Sequence, residues 1–237
     1  MTTVDGVAGD PSPRLESEAP HSGGRPGVTH AKPLLRGWLH LACFEASLVT
    51  GTLAIAAAHG GVRTTAVAIF TSSISAMFGV SALYHRGNWS TAWRLRLQRL
   101  DHAMIFLLIA GTATAAFLLT THGVFRLACL IVIWTFTVIT AGIHMAWMHA
   151  PELVVGGTFV GLGWAAGVAL PGVWLHSGAA AGALMLTGGL LYTAGALSYH
   201  WRRPDPYPSV FGYHEVFHVY VCAAAICQYI AIVLLIA

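Results

Sequence analysis

The stretch HEVFHVYVCAAAICQYIAIVLLI, residues 214–236, decides what kind of molecule this is. Beyond its first two residues it carries no Asp, Glu, Lys or Arg, and it is as long as the about twenty residues with which a helix crosses a bilayer. The apolar run is continuous, not alternating, which argues for a helix over a barrel strand, because a helix pairs its own backbone groups in lipid. The rest of the chain repeats the pattern. Of 237 residues, 56% are hydrophobic and only 9% charged, which excludes an ordinary soluble domain. Further apolar spans are drawn at about 38–58, 65–85, 100–120, 125–147, 153–175 and 179–200, making seven. The expected fold is all-α: an integral membrane seven-helix bundle over residues 37–237, multi-pass in the cell membrane.

Residues 1–36 differ in kind. Asp5, Asp10, Glu16 and Glu18 stand against Arg14, Arg25, Lys32 and Arg36 among Pro, Ser and Gly, with no apolar core and no signal-peptide pattern, so a disordered polar tail is expected. Basic residues in short flanking loops stay on the cytoplasmic side. On one side fall the tail's basic residues, then Arg86, Arg94, Arg96 and Arg99, then Arg202 and Arg203; only Arg63 and Arg126 lie opposite. The amino terminus is therefore expected in the cytoplasm and the carboxyl terminus outside. A net charge of +3 from this collar suits anionic lipid headgroups, and no basic run interleaved with aromatics points to nucleic acid.

With that orientation, span two ends inward at His85, span three leaves the same face at Asp101, and span seven leaves it at His214 and His218. Two histidines four apart on a helix present both imidazoles to one point. Three neutral imidazoles leave a tetrahedral zinc one open position, as hydrolytic chemistry requires. Charged or ligating groups inside a span are costly and are functional candidates by default. The segment 214–218 also spells the H-E-x-x-H pattern of zinc proteases, in which the glutamate is the general base, but residues 219–237 offer no third ligand. The alternative for Glu215 is a cap at the helix start.

The motifs Ser81-Ala82-Leu83-Tyr84-His85, Leu100-Asp101-His102 and Pro208-Ser209-Val210-Phe211-Gly212-Tyr213-His214-Glu215-Val216-Phe217-His218 resemble the hemolysin III family, which belongs with the progestin and adiponectin receptors and is similar to alkaline ceramidases. The resemblance covers the chain from about Trp38 to its end. It implies seven helices with a cytoplasmic amino terminus, zinc held by His85, His214 and His218, and lipid amide hydrolysis in some relatives. Carried over, Asp101 is the acid beside the reacting water and Ser81, one turn before His85, a hydrogen-bonding or oxyanion-donating group. The structural alternatives are Asp101 paired with Arg99 or His102, and Ser81 bonded to its own helix. The expected function is metal-dependent, hydrolase-like action on, or sensing of, a lipid amide or ester. The alternatives are a non-enzymatic metal-stabilised membrane-homeostasis or receptor-like protein, and a cytolytic hemolysin; the spans lack the recurring polar stripe of a wide pore.

One departure concerns position 228, where relatives often carry a histidine and this chain has Gln228, expected to bond across helices or to a cavity water. Glu45, inside span one, is expected to be protonated, paired or facing a pore or lipid pocket. His40, His102, His144 and His200 receive no role. The pairs Gly157 with Gly161 and Gly163 with Gly167 are expected to let span five press closely on a neighbour, and Pro171 to kink or end it.

Overall fold

The structure is a computed structural model, and its described residues are 32–147 and 151–237; most of the expected tail, residues 1–31, lies outside them. Helices α1 (Trp38–Ala57), α2 (Gly61–Arg86), α3 (Thr91–Thr120) and α4 (Gly123–Ala146) follow one another through short turns. Helix α5 (Glu152–Ala166) passes through a single 3-10 turn (Gly167–Ala169) into α6 (Leu170–Trp201), and α7 (Tyr213–Ile236) completes the bundle. Among the described residues there is no strand, only an isolated bridge between Tyr207 and Phe211. The all-helical expectation therefore holds.

The helices tolerate polar residues because those residues stay within their own backbone. Thr71, Thr112, Thr114 and Thr120 each place Oγ1 2.7–2.9 Å from the carbonyl four residues back. Phe70, Phe106, Val67, Val173 and Ile232 are enclosed between helices, whereas Leu53, Ile131 and Val138 are 62%, 56% and 66% exposed on the outside. Large apolar side chains on the outer face are what lipid, not water, stabilises.

Among the described residues, six helical stretches are long and apolar enough to cross a membrane. The expected fifth and sixth spans fall within one of these, Leu153–Trp201, of 49 residues. Gly178 interrupts it with φ 76° and ψ −175°, backbone angles that are open essentially to glycine alone. The two arms lie side by side: the Trp164 indole donates to Thr193 Oγ1 at 3.0 Å, and Gly182 packs under the Trp174 ring. Pro171 instead sits in the first turn of α6, where its missing N–H costs little. The reversal therefore comes at the glycine, not at the proline.

The reading of the α5 glycines as a packing seam is overturned. A Cβ added at Gly157, Gly161 or Gly163 would meet nothing within 4 Å. Gly163 and Gly167 instead form part of a cavity wall.

Of the chain before α1, the described part docks on the loop that leads into α7. Leu34 and Leu35 donate their backbone N–H groups to the Ser209 and Val210 carbonyls, each at 3.1 Å. Gly37 turns the chain into α1 at φ 79°, and a Cβ there would lie 2.8 Å from His85 Cβ. Only glycine combines that backbone with so close an approach to α2.

Candidate metal centre

Four helix ends meet at one end of the bundle. The last turn of α2 carries His85, and its basic residues suit the negative end of the helix dipole. The first turns of α7 carry His214 and His218, one turn apart on one face. Helix α3, capped by Ser90 at its start, brings Asp101, and α1 brings His40.

One ligand nitrogen from each of His85, His214 and His218 lies within 4.8 Å of the other two. The ring centroids are 4.6–5.1 Å apart. His85 Nε2 is 3.2 Å from His214 Nε2, close to the about 3.3 Å that separates two nitrogens on one tetrahedral zinc with bonds of about 2.0–2.1 Å. His85 is 8% exposed and His218 2%, so these imidazoles lie away from bulk water. The donor set therefore fits a borderline-soft divalent ion with nitrogen preference, and the three residues could hold one.

Asp101 stands beside this trio, with Oδ2 3.8 Å from His85 Nε2. Ser81, one turn before His85 on α2, and Asp101 border the same cavity. Among the described residues no ion pair joins Asp101 to Arg99 or His102. Ser81 Oγ also lies 2.8 Å from His40 Nδ1. The His40 ring in turn stacks on His218, with centroids 3.8 Å apart and planes 10° from parallel. His40 thus belongs to the site, although the sequence reading left it without a role. Its signal was available: His40 opens span one at the same face from which Asp101 and His214 depart.

Glu215 takes the capping role. Its Oε2 accepts from the Gly212 N–H at 2.8 Å, and its Oε1 is bound by the Arg36 guanidinium. The residue is fully buried, at 0% exposure, and both oxygens are occupied, which leaves no free base for a protease mechanism. The pair fixes the start of α7, and through it the register of His214 and His218. Replacing Arg36 by alanine strands a buried carboxylate, and a loss of about 3 kcal/mol is expected. A lowered thermal unfolding midpoint of the purified protein checks this; an unchanged midpoint would show that the carboxylate does not need its partner.

From the histidines a cavity of about 450 Å³ runs along α3, bounded by α5, α6 and α7. Its walls are mainly apolar, including Leu108, Ile109, Phe159, Val160, Met185 and Leu186. His102, His144 and His200 also line it, and His144 Nε2 is 3.0 Å from Thr158 Oγ1. Gln228 is a lining residue and is bonded across helices as expected, with Oε1 3.3 Å from Thr112 Oγ1. Glu45 does not face this cavity. It sits exposed on the outer side of α1.

Comparison with known proteins identifies the family. The haemolysin-III related family matches residues 28–229, so the chain belongs to that family. "Hemolysin-3" of Bacillus cereus is 31% identical over 124 residues, 52% of this chain and 53% of that protein. "Hemolysin-3 homolog" of Bacillus subtilis (strain 168) is 26% identical over 138 residues, 57% of this chain and 61% of that protein. The matches thus span little more than half the length of these relatives. No solved structure matches the chain.

Proposed function

We propose that this haemolysin-III related membrane protein binds zinc through His85, His214 and His218 and hydrolyses an amide or ester bond of a membrane lipid. One observation carries the reading: a three-histidine cluster, His85 and His218 buried and His214 half-buried, with a carboxylate beside it, opens into a mainly apolar cavity. A purely structural zinc site is closed by a fourth protein ligand, whereas three nitrogens leave a position for substrate or water.

When bound, such an ion supplies Lewis acidity at a carbonyl and lowers the pKa of a water to about 7. Asp101 Oδ2 accepts the proton of the attacking water and returns it to the leaving nitrogen or oxygen. In this reading Ser81 Oγ donates to the Asp101 carboxylate, and His40 Nδ1 orients the Ser81 hydroxyl. The apolar walls take the lipid's hydrocarbon chain and exclude bulk water from the reacting bond.

The same proposal includes seven membrane crossings, amino terminus in the cytoplasm and carboxyl terminus outside. A 49-residue helix would be about 74 Å long, more than twice the hydrocarbon core of about 30 Å, so the break at Gly178 serves as a turn between two crossings. Arg36, Arg86, Arg94, Arg99, Arg202 and Arg203 then share the inner face with the histidines. Membrane lipid is the partner.

The test is to supply the purified, zinc-loaded protein with a long-chain N-acyl amide and the matching ester. Free fatty acid should be released, release should stop on chelation, and zinc should restore it. Absence of release from either lipid overturns the hydrolase reading and leaves a metal-stabilised, non-enzymatic membrane protein.

A further inference from the structure

Part way down the cavity the apolar lining is interrupted. Gln228 lies ten residues beyond His218 on α7, which at about 1.5 Å per residue is about 15 Å from the histidines. Thr112 gives the same depth from the other wall, about 16 Å past Asp101 on α3. The two side chains meet at 3.3 Å through Gln228 Oε1, and the Thr112 hydroxyl is already 2.9 Å from the Leu108 carbonyl. The Gln228 carboxamide also borders the cavity. Beside it on α6, a Cβ at Gly188 would lie 2.8 Å from Gln228 Cγ, so α6 and α7 touch here. Tyr192, one turn on from Gly188 and on the same face, also lines the cavity, and its hydroxyl is buried without a hydrogen-bond partner.

Buried donors without acceptors are costly, so a group left in this condition inside a cavity points to something that fills it. The unmet group is the Tyr192 O–H, which can both donate and accept, and the Gln228 carboxamide at the cavity wall offers an oxygen and N–H groups. What the hydroxyl lacks is a polar partner, which the plain hydrocarbon of an acyl chain does not supply. We propose that Tyr192 and Gln228 form a second polar subsite that binds an oxygen part way along the ligand's chain. The substrate class is thereby narrowed to lipids whose long acyl chain carries a mid-chain hydroxyl. This rests on the reading of the cavity as an acyl-chain site.

The full chain in lipid nanodiscs is titrated with octadecanoic acid, its mid-chain monohydroxy derivative, and the isomer hydroxylated next to the carboxyl group. The mid-chain hydroxy acid is expected to bind about tenfold more tightly than the plain acid, the scale of one or two well-made hydrogen bonds, and the isomer to gain nothing. Tyr192→Phe keeps the ring and its packing, and together with Gln228→Leu it should erase the preference while octadecanoic acid binds as before. Equal binding of the three acids, or a preference that survives in the double variant, overturns the subsite. If none of the acids binds, the acyl-chain reading of the cavity fails as well.

Discussion

Alanine at His85 or at His218 is expected to reduce the zinc content of the purified protein from about one ion per chain to under about a tenth of that, read by elemental analysis after dialysis. The expectation follows from the donor count. With three imidazoles around one point, loss of any one leaves two nitrogens on a site that offers no replacement: Asp101 Oδ2 is 3.8 Å from His85 Nε2 and stands outside the trio. Glu215 is bound by Arg36 and by the Gly212 N–H. His40→Ala is the informative companion. His40 stacks face to face on His218 and directs Nδ1 at Ser81, so it donates no ligand atom to the trio, and its removal should leave most of the zinc in place. If wild type, His85→Ala and His218→Ala hold equal zinc, the ligand assignment is wrong.

The second large effect concerns Asp101. Asparagine there preserves shape and can still accept from Ser81, but it cannot take up a proton. Zinc content should therefore stay at the wild-type level while lipid turnover falls by about 10²- to 10⁴-fold, the range over which a positioned general base acts. Parallel measurement of metal and product separates the two roles. Loss of zinc in Asp101→Asn would make the carboxylate a structural member of the site, and unchanged turnover would remove it from the chemistry.

Much of the site was legible because its residues obey a topological rule. In a bundle of alternating crossings, the end of span two and the starts of spans one, three and seven share a face. A charge count over short loops was enough to bring His85, Asp101, His214 and His218 to one level before any coordinate was known. The same rule applies to His40. It was passed over because a single histidine near a helix end carries no spacing signal, and its stacking on His218 is a contact between residues far apart in sequence. Glu215 shows the opposite case. Its local pattern allows either a protease base or a helix cap, and the choice is made by Arg36, which reaches it from the far end of the chain. The α5 glycines mislead for a related reason: small residues at four-residue spacing permit close packing, but whether a neighbour comes near is settled elsewhere in the fold.

By itself the sequence determined that the chain is helical, that it belongs in a membrane, and which ends of its spans lie together, because these follow from composition, run length and loop charge, all of them local properties. Only the tertiary structure decided that three imidazole nitrogens come within 4.8 Å of one another, that the reversal falls at Gly178, and that a cavity with a polar interruption at Tyr192 and Gln228 extends below the histidines. Those depend on the rotation and depth of each helix against its neighbours. Side-chain packing sets both, and no single segment encodes them.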